Sequence, residues 1–236
     1  MTNKIVRSFY QPKSRCYLWP FLGGLFYAAG FPIKGGVSFF LFPLIGFALL
    51  LAGWNLSSSF TNAKETFWTR VLSTICFGVG YYTLGYYWIP YTISEFGGIV
   101  FPFNYLLGLI FSFVIVPQYY VFLVIEAFLR NLSKTQSFIS KASAKHLFYA
   151  TLLVLCEYFV PQQFPAHLGH PWLQLAPYLG LAPYFGAPLF SLISYWLVFS
   201  LYDFTLHQRK DFWAWGTTVL FVLVNIFFPL QKEKQE

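Results

Sequence analysis

The 236-residue chain is 57% hydrophobic, 23% aromatic and 10% charged, with a mean hydropathy of +0.57. Soluble domains average about a quarter charged residues, and one globular core cannot hide this much apolar surface. The composition therefore excludes an ordinary soluble domain and predicts an all-α polytopic membrane protein, with lipid as its solvent.

The pattern predicts seven apolar segments, at about residues 17–31, 36–54, 70–90, 101–129, 146–160, 183–203 and 212–230. Each is near or below the ~20 residues that span a hydrocarbon core. The first and fifth are short, and the fourth is long enough to tilt. Gly23, Gly24, Pro43, Gly46, Gly78, Gly80 and Pro117 fall inside them, which helical bundles tolerate and which permits close helix contact. The organisation expected is a cytoplasmic segment 1–16, a seven-helix membrane domain 17–230 and a short periplasmic tail 231–236. A basic start followed by a short segment ending "YAAG" also fits a signal peptide, but the charge distribution favours an uncleaved first span. Cys16 precedes the apolar run, so it marks no lipoprotein cleavage site.

That charge distribution is lopsided. The net charge is +7, yet the basic residues form no stripe and are not interleaved with aromatics, which argues against nucleic acid as a partner. With the N-terminus in the cytoplasm, twelve of the 15 Lys and Arg fall on that side. They are Lys4, Arg7, Lys13 and Arg15, then Lys64 and Arg70, then Arg130, Lys134, Lys141 and Lys145, then Arg209 and Lys210. Lys34, Lys232 and Lys234 remain outside. The positive-inside rule expects this bias, and seven spans put the C-terminus outside.

Two acids lie within the spans, Glu126 and Glu157. An ionised carboxylate at the centre of a bilayer costs about 2.5–3.5 kcal/mol on insertion scales, so each needs a partner, a cavity or an interface. Glu126 is one turn from Arg130, and an i,i+4 pair accounts for it. Glu157 has no such neighbour; it reads either as part of an outer-face polar site or as a capping and packing residue. Cys16, Cys76 and Cys156 show no motif spacing and behave as small hydrophobes. His167 and His170 lie i, i+3, but no nearby Cys, Asp or Glu supplies the third ligand zinc needs, so hydrogen bonding is the expected role. G-x-S-x-G, P-loop, HExxH and CxxC motifs are absent from the sequence, and no cofactor or metal is implied.

The outer loops carry more information. "GYYWIPYTISEFGG" (Gly85–Gly98) places aromatics, a proline and one acid between an apolar run and a glycine pair, and "PQQFPAHLGHPWLQLAPYLGLAPYFGAP" repeats that composition. Such backbone suits a position at membrane depth, packed on protein. Trp88, Tyr91, Phe96, Trp172 and Tyr178 fall where an aromatic belt belongs, and they read either as interfacial anchors or as the rim of a site. Glu95 either orients a polar headgroup or is simply solvated.

In order and spacing these stretches resemble the membrane domain of bacterial apolipoprotein N-acyltransferase. "GGLFYAAGFP" (Gly23–Pro32) matches the family's small-residue first span ending in an aromatic–proline corner. Gly78, Gly80, Trp88, Ser94, Phe96, Gly97 and Gly98 follow its third span and the Phe-Gly-Gly after it. "EYFVPQQFPAHLG" supplies the Glu, Pro, Phe-Pro and Gly of its fifth span as Glu157, Pro161, Phe164, Pro165 and Gly169. The resemblance covers about residues 17–230. Members of the family usually continue into a nitrilase-like domain, whose Glu-Lys-Cys set moves an acyl chain from phospholipid to a lipoprotein's N-terminal cysteine. This sequence runs only six residues past its last apolar segment, and no residue of that set has a counterpart here.

The resemblance implies a module of the bacterial inner membrane, not catalytic alone, that binds phospholipid or lipoprotein acyl chains and works with a nitrilase-like partner in trans. Its implied lipid- or partner-binding residues are Trp88, Tyr91, Glu95, Phe96, Gly97, Gly98, Glu157, Phe164, Pro165 and Trp172. The alternative is a non-catalytic scaffold or lipid-binding subunit of an envelope complex. A transporter with Glu126 and Glu157 on a proton path is a weaker third reading, for the chain shows no inverted repeat.

Overall fold

The computed structural model describes residues 12–31, 39, 41–57, 63–131, 142–173, 180–207 and 211–227. Every regular element among them is helical, as the composition predicts. Tyr178, Pro32 and several of the basic residues used above (Lys4, Arg7, Lys34, Lys134, Lys141, Arg209, Lys210, Lys232, Lys234) lie outside the described residues. The chain divides into two compact units, one formed by residues 1–131 with 160–164, the other by 132–159 with 165–236.

The first unit contains α1 (Pro12–Ala29), α2 (Phe42–Ser57), α3 (Ala63–Gly85), α4 (Ile89–Gly97), α5 (Phe103–Val114) and α6 (Pro117–Asn131). Helix α1 packs along both α2 and α3, and glycine is what lets it do so. A Cβ on Gly23 would sit 2.6 Å from the Gly46 carbonyl oxygen, and one on Gly24 would collide with the backbone of Phe77 and Tyr81. Tyr27, fully buried, fills the space above this seam, edge-on to Phe77 at 5.4 Å and to Tyr81 at 5.1 Å. Rings at these distances and angles add to the burial of their area.

The second unit contains α7 (Ala142–Phe159), the single turn α8 (His170–Leu173), α9 (Ala182–His207) and α10 (Phe212–Phe227). Helix α9 packs on the other three, and Phe190 meets Phe221 of α10 edge-on at 5.0 Å. Near its start α9 breaks at Gly186 (φ 57°, ψ −163°), two residues before Pro188. This backbone region is essentially reserved for glycine.

Two expected segments are divided. The third ends as a helix at Gly85, and a separate helix, α4, follows Tyr86–Trp88. The fourth is two helices bent by 40° at residues 115–116. Pro117 explains that bend: it has no N–H to give to the preceding turn, and its ring disfavours helical backbone at Val116. By length and apolar composition, one described helix can cross a membrane alone, Ala182–Leu206, and the bent pair α5–α6 is a second candidate. Phe42–Ser57 and Phe212–Asn225 are apolar but shorter, while α3 carries Lys64, Glu65 and Arg70 in its first third.

Candidate functional site

In the first unit, the "GYYWIPYTISEFGG" stretch forms a short amphipathic arm. Pro90 lies in the first turn of α4, where a missing N–H costs nothing. Gly98 ends the helix in the left-handed conformation (φ 64°), with its N–H donating to the Ser94 carbonyl at 3.1 Å. Asn104, buried, then ties α5 back to the arm by donating to the Pro90 carbonyl at 3.2 Å. The arm's far side is open: Tyr91, Glu95, Phe96, Gly97 and Gly98 are all exposed, Phe96 to 84%.

Trp88 and Phe164 come together. The Phe164 ring lies 6.0 Å from Trp88, 5.4 Å from Tyr86 and 5.9 Å from Phe111, and the Tyr86 hydroxyl pairs with that of Tyr81 at 3.2 Å. Trp88 and Phe164 are each more than a third exposed. The cluster is thus an aromatic surface patch with a hydrogen-bonded base. Sequence reading missed Tyr86, Phe111 and Asn104, although Asn104 was visible as a polar residue inside an apolar run.

The second unit holds Glu157, Pro165 and Trp172. Glu157 is 2% exposed. Its Oε1 accepts from the Tyr195 hydroxyl at 2.6 Å and from the Leu168 backbone N–H at 2.9 Å, and the Ser191 hydroxyl also bonds to the carboxylate. Ser191 accepts in turn from the Gly169 N–H at 2.8 Å, and a Cβ on Gly169 would strike the Ala187 carbonyl. The spacing from Glu157 to Gly169 therefore has a structural account: the acid and the glycine together clamp the 165–170 loop onto α9. Ser191, Ser194 and Tyr195, at helical i, i+3, i+4 spacing on α9, were the signal for this clamp. Trp172 donates to Ser194 at 2.9 Å, and Pro165 is exposed.

His167 and His170 lie beside the clamp with their rings stacked at 4.6 Å and 13° apart. The His167 backbone N–H donates to His170 Nδ1 at 3.2 Å, and Tyr158 meets His167 edge-on at 4.7 Å. Burial, and then the neighbouring His170, push His167 down to about 4, and burial lowers His170 as well.

The remaining ionic groups form locks. Glu126 of α6 accepts from Arg130 one turn away, as the spacing predicts, and also from Arg70 of α3 at 2.8 Å. Arg70 further donates to the Trp54 carbonyl at 3.1 Å. In the second unit, His146 Nδ1 pairs with Asp211 at 3.1 Å, and Asp211 Oδ1 accepts from the Ala214 N–H to cap α10. Among the described residues, no three His, Cys, Asp or Glu side chains gather as a metal site.

These features define an all-α module with broad exposed aromatic and aliphatic surface, whose buried acids are engaged in holding helices and loops. The chain belongs to a family on the strength of its sequence as well: the model of the apolipoprotein N-acyltransferase N-terminal domain matches residues 23–200. No curated protein matches it. The matched range starts at the glycine seam of α1 and runs into α9, so it takes in both the aromatic patch and the Glu157 clamp.

Proposed function

We propose that the chain is a membrane module of the apolipoprotein N-acyltransferase type, binding phospholipid or lipoprotein acyl chains for a catalytic partner. In this reading residues 17–230 cross the bacterial inner membrane seven times, with the N-terminus in the cytoplasm. The family match carries the proposal. The positive-inside count supports the orientation, and the exposed apolar faces of α4, α5 and α10 support lipid as the surrounding medium. The arm from Trp88 to Gly98 lies at the interface, and the Trp88–Phe164 patch takes the apolar part of the substrate. The chemistry comes from a nitrilase-like protein with a reactive cysteine, because acyl transfer by covalent catalysis needs a thiolate beside a base. Contact between two such chains resembles the contact between domains of one chain.

The test is a pull-down of the tagged chain in gentle detergent, with mass spectrometry of the proteins and lipids retained. Recovery of a cysteine-bearing nitrilase-like protein together with phospholipid is expected. Recovery of unrelated envelope proteins alone overturns the reading in favour of a scaffold.

A further inference from the structure

Three consecutive backbone N–H groups in the second unit are each accepted by a side chain. His167 donates to His170 Nδ1, Leu168 to Glu157 and Gly169 to Ser191. The accepting groups come from α8, α7 and α9, so this one tripeptide ties the loop to three elements. Two of the bonds are insensitive to the histidines; the third requires His170 Nδ1 to keep its lone pair. A proton on that nitrogen would set a donor against a donor. His167 faces a second penalty, for its own Nδ1 is buried and has no hydrogen-bond partner among the described residues. A charge taken up there is desolvated and unanswered. Because the rings are stacked, a charge on either also opposes charging the other.

We propose that the His167–His170 stack is an acid-labile latch, which holds residues 165–173 docked while both rings are neutral and releases them when either is protonated. This stands on the second unit's own geometry and is independent of which lipid or partner the chain binds. The group facing the stack is the Tyr158 ring from α7; the Glu157 carboxyl bonds to the next residue's N–H, that of Leu168, with the Tyr195 hydroxyl and Ser191 of α9 on its other side. The direction follows from linkage. His167 is lowered from its ordinary value of 6.5 to about 4 in the docked loop. Docking is therefore at full strength above the ordinary histidine value and is lost as pH falls through the lowered one.

Hydrogen–deuterium exchange on the full chain in phospholipid nanodiscs tests this, read at the His167, Leu168 and Gly169 amides and corrected for intrinsic exchange. Between about pH 7.5 and about pH 4.5, protection is expected to fall at least about tenfold, while amides of α3 hold theirs. The double variant His167→Phe, His170→Asn keeps a ring in the stack and an acceptor for the His167 N–H but cannot titrate, so its protection is expected to stay flat. Flat protection in the wild type overturns the latch. The same acid loss in the double variant overturns it too, since the proton then acts elsewhere, with Glu157 the first suspect. Should the double variant fail to fold, His170→Asn alone is expected to shrink the acid response, and an unchanged response sinks the idea.

Discussion

Glu157→Ala removes the Oε1 atom that the Tyr195 hydroxyl and the Leu168 N–H share, and a minimum cost can be worked from those two bonds. The Tyr195 hydroxyl and the Leu168 N–H would both be left buried with no acceptor at Oε1. A buried donor without its partner costs about 1–3 kcal/mol, so two give about 2–6 kcal/mol. Hydrogen bonds between helices within a bilayer average nearer 0.6 kcal/mol, which sets a floor of about 1 kcal/mol. Thermal unfolding in mild detergent, followed by tryptophan fluorescence, reads the loss. At about 2–4 °C per kcal/mol for a chain of this size, a Tm lower by roughly 2–24 °C is expected, the low end being set by that floor. The sharper assay is a double-mutant cycle with Tyr195→Phe. Residues that share a bond couple by about 0.5–3 kcal/mol, so the two losses must fall short of adding. Full additivity would refute the claim that Glu157 and Tyr195 act as one unit.

The other locks give contrasting outcomes in the same unfolding assay. Arg70 and Glu126 side chains are each about a tenth exposed, whereas Arg130 is 48% exposed; Arg70→Met is expected to cost about 3 kcal/mol and Arg130→Met under about 1 kcal/mol. Gly186→Ala forces a side chain into a glycine-only conformation and should cost about 1–3 kcal/mol, with the helical circular dichroism signal retained below the transition. Asp211→Ala removes both the cap of α10 and the nearer of two carboxylates beside His146, and a loss of about 1–2 kcal/mol is expected from the cap alone.

The helices and the family were legible in the sequence because both are written in local pattern: apolar runs, small residues and Pro–Gly–aromatic corners at fixed spacings. Pairings made at long range were not. Glu126 showed its neighbour Arg130 at i+4, but Arg70 lies 56 positions away and only the packing of α3 on α6 delivers it. Glu157 showed as a buried acid without a partner, because Tyr195 stands 38 positions on, in another helix. Pro117 was visible inside the fourth segment, yet a proline in a long apolar run fits either a tilted helix or a broken one. The aromatic patch was half legible for the same reason, with Trp88 and Phe164 singled out by composition and Tyr86 and Phe111 supplied by the fold.

The glycine seam between α1, α2 and α3 has a consequence for how this family can drift. Where two backbones touch with no side chain between them, neither face can accept a methyl group unless the opposite helix retreats: Gly23 meets the Gly46 carbonyl, Gly24 the Phe77 carbonyl and Gly80 the Phe21 carbonyl. The obstacle in each case is backbone, which no substitution on the opposite helix removes, so a second change cannot compensate for the first. These positions should therefore stand across relatives as separately fixed small-residue columns, not as pairs that vary together.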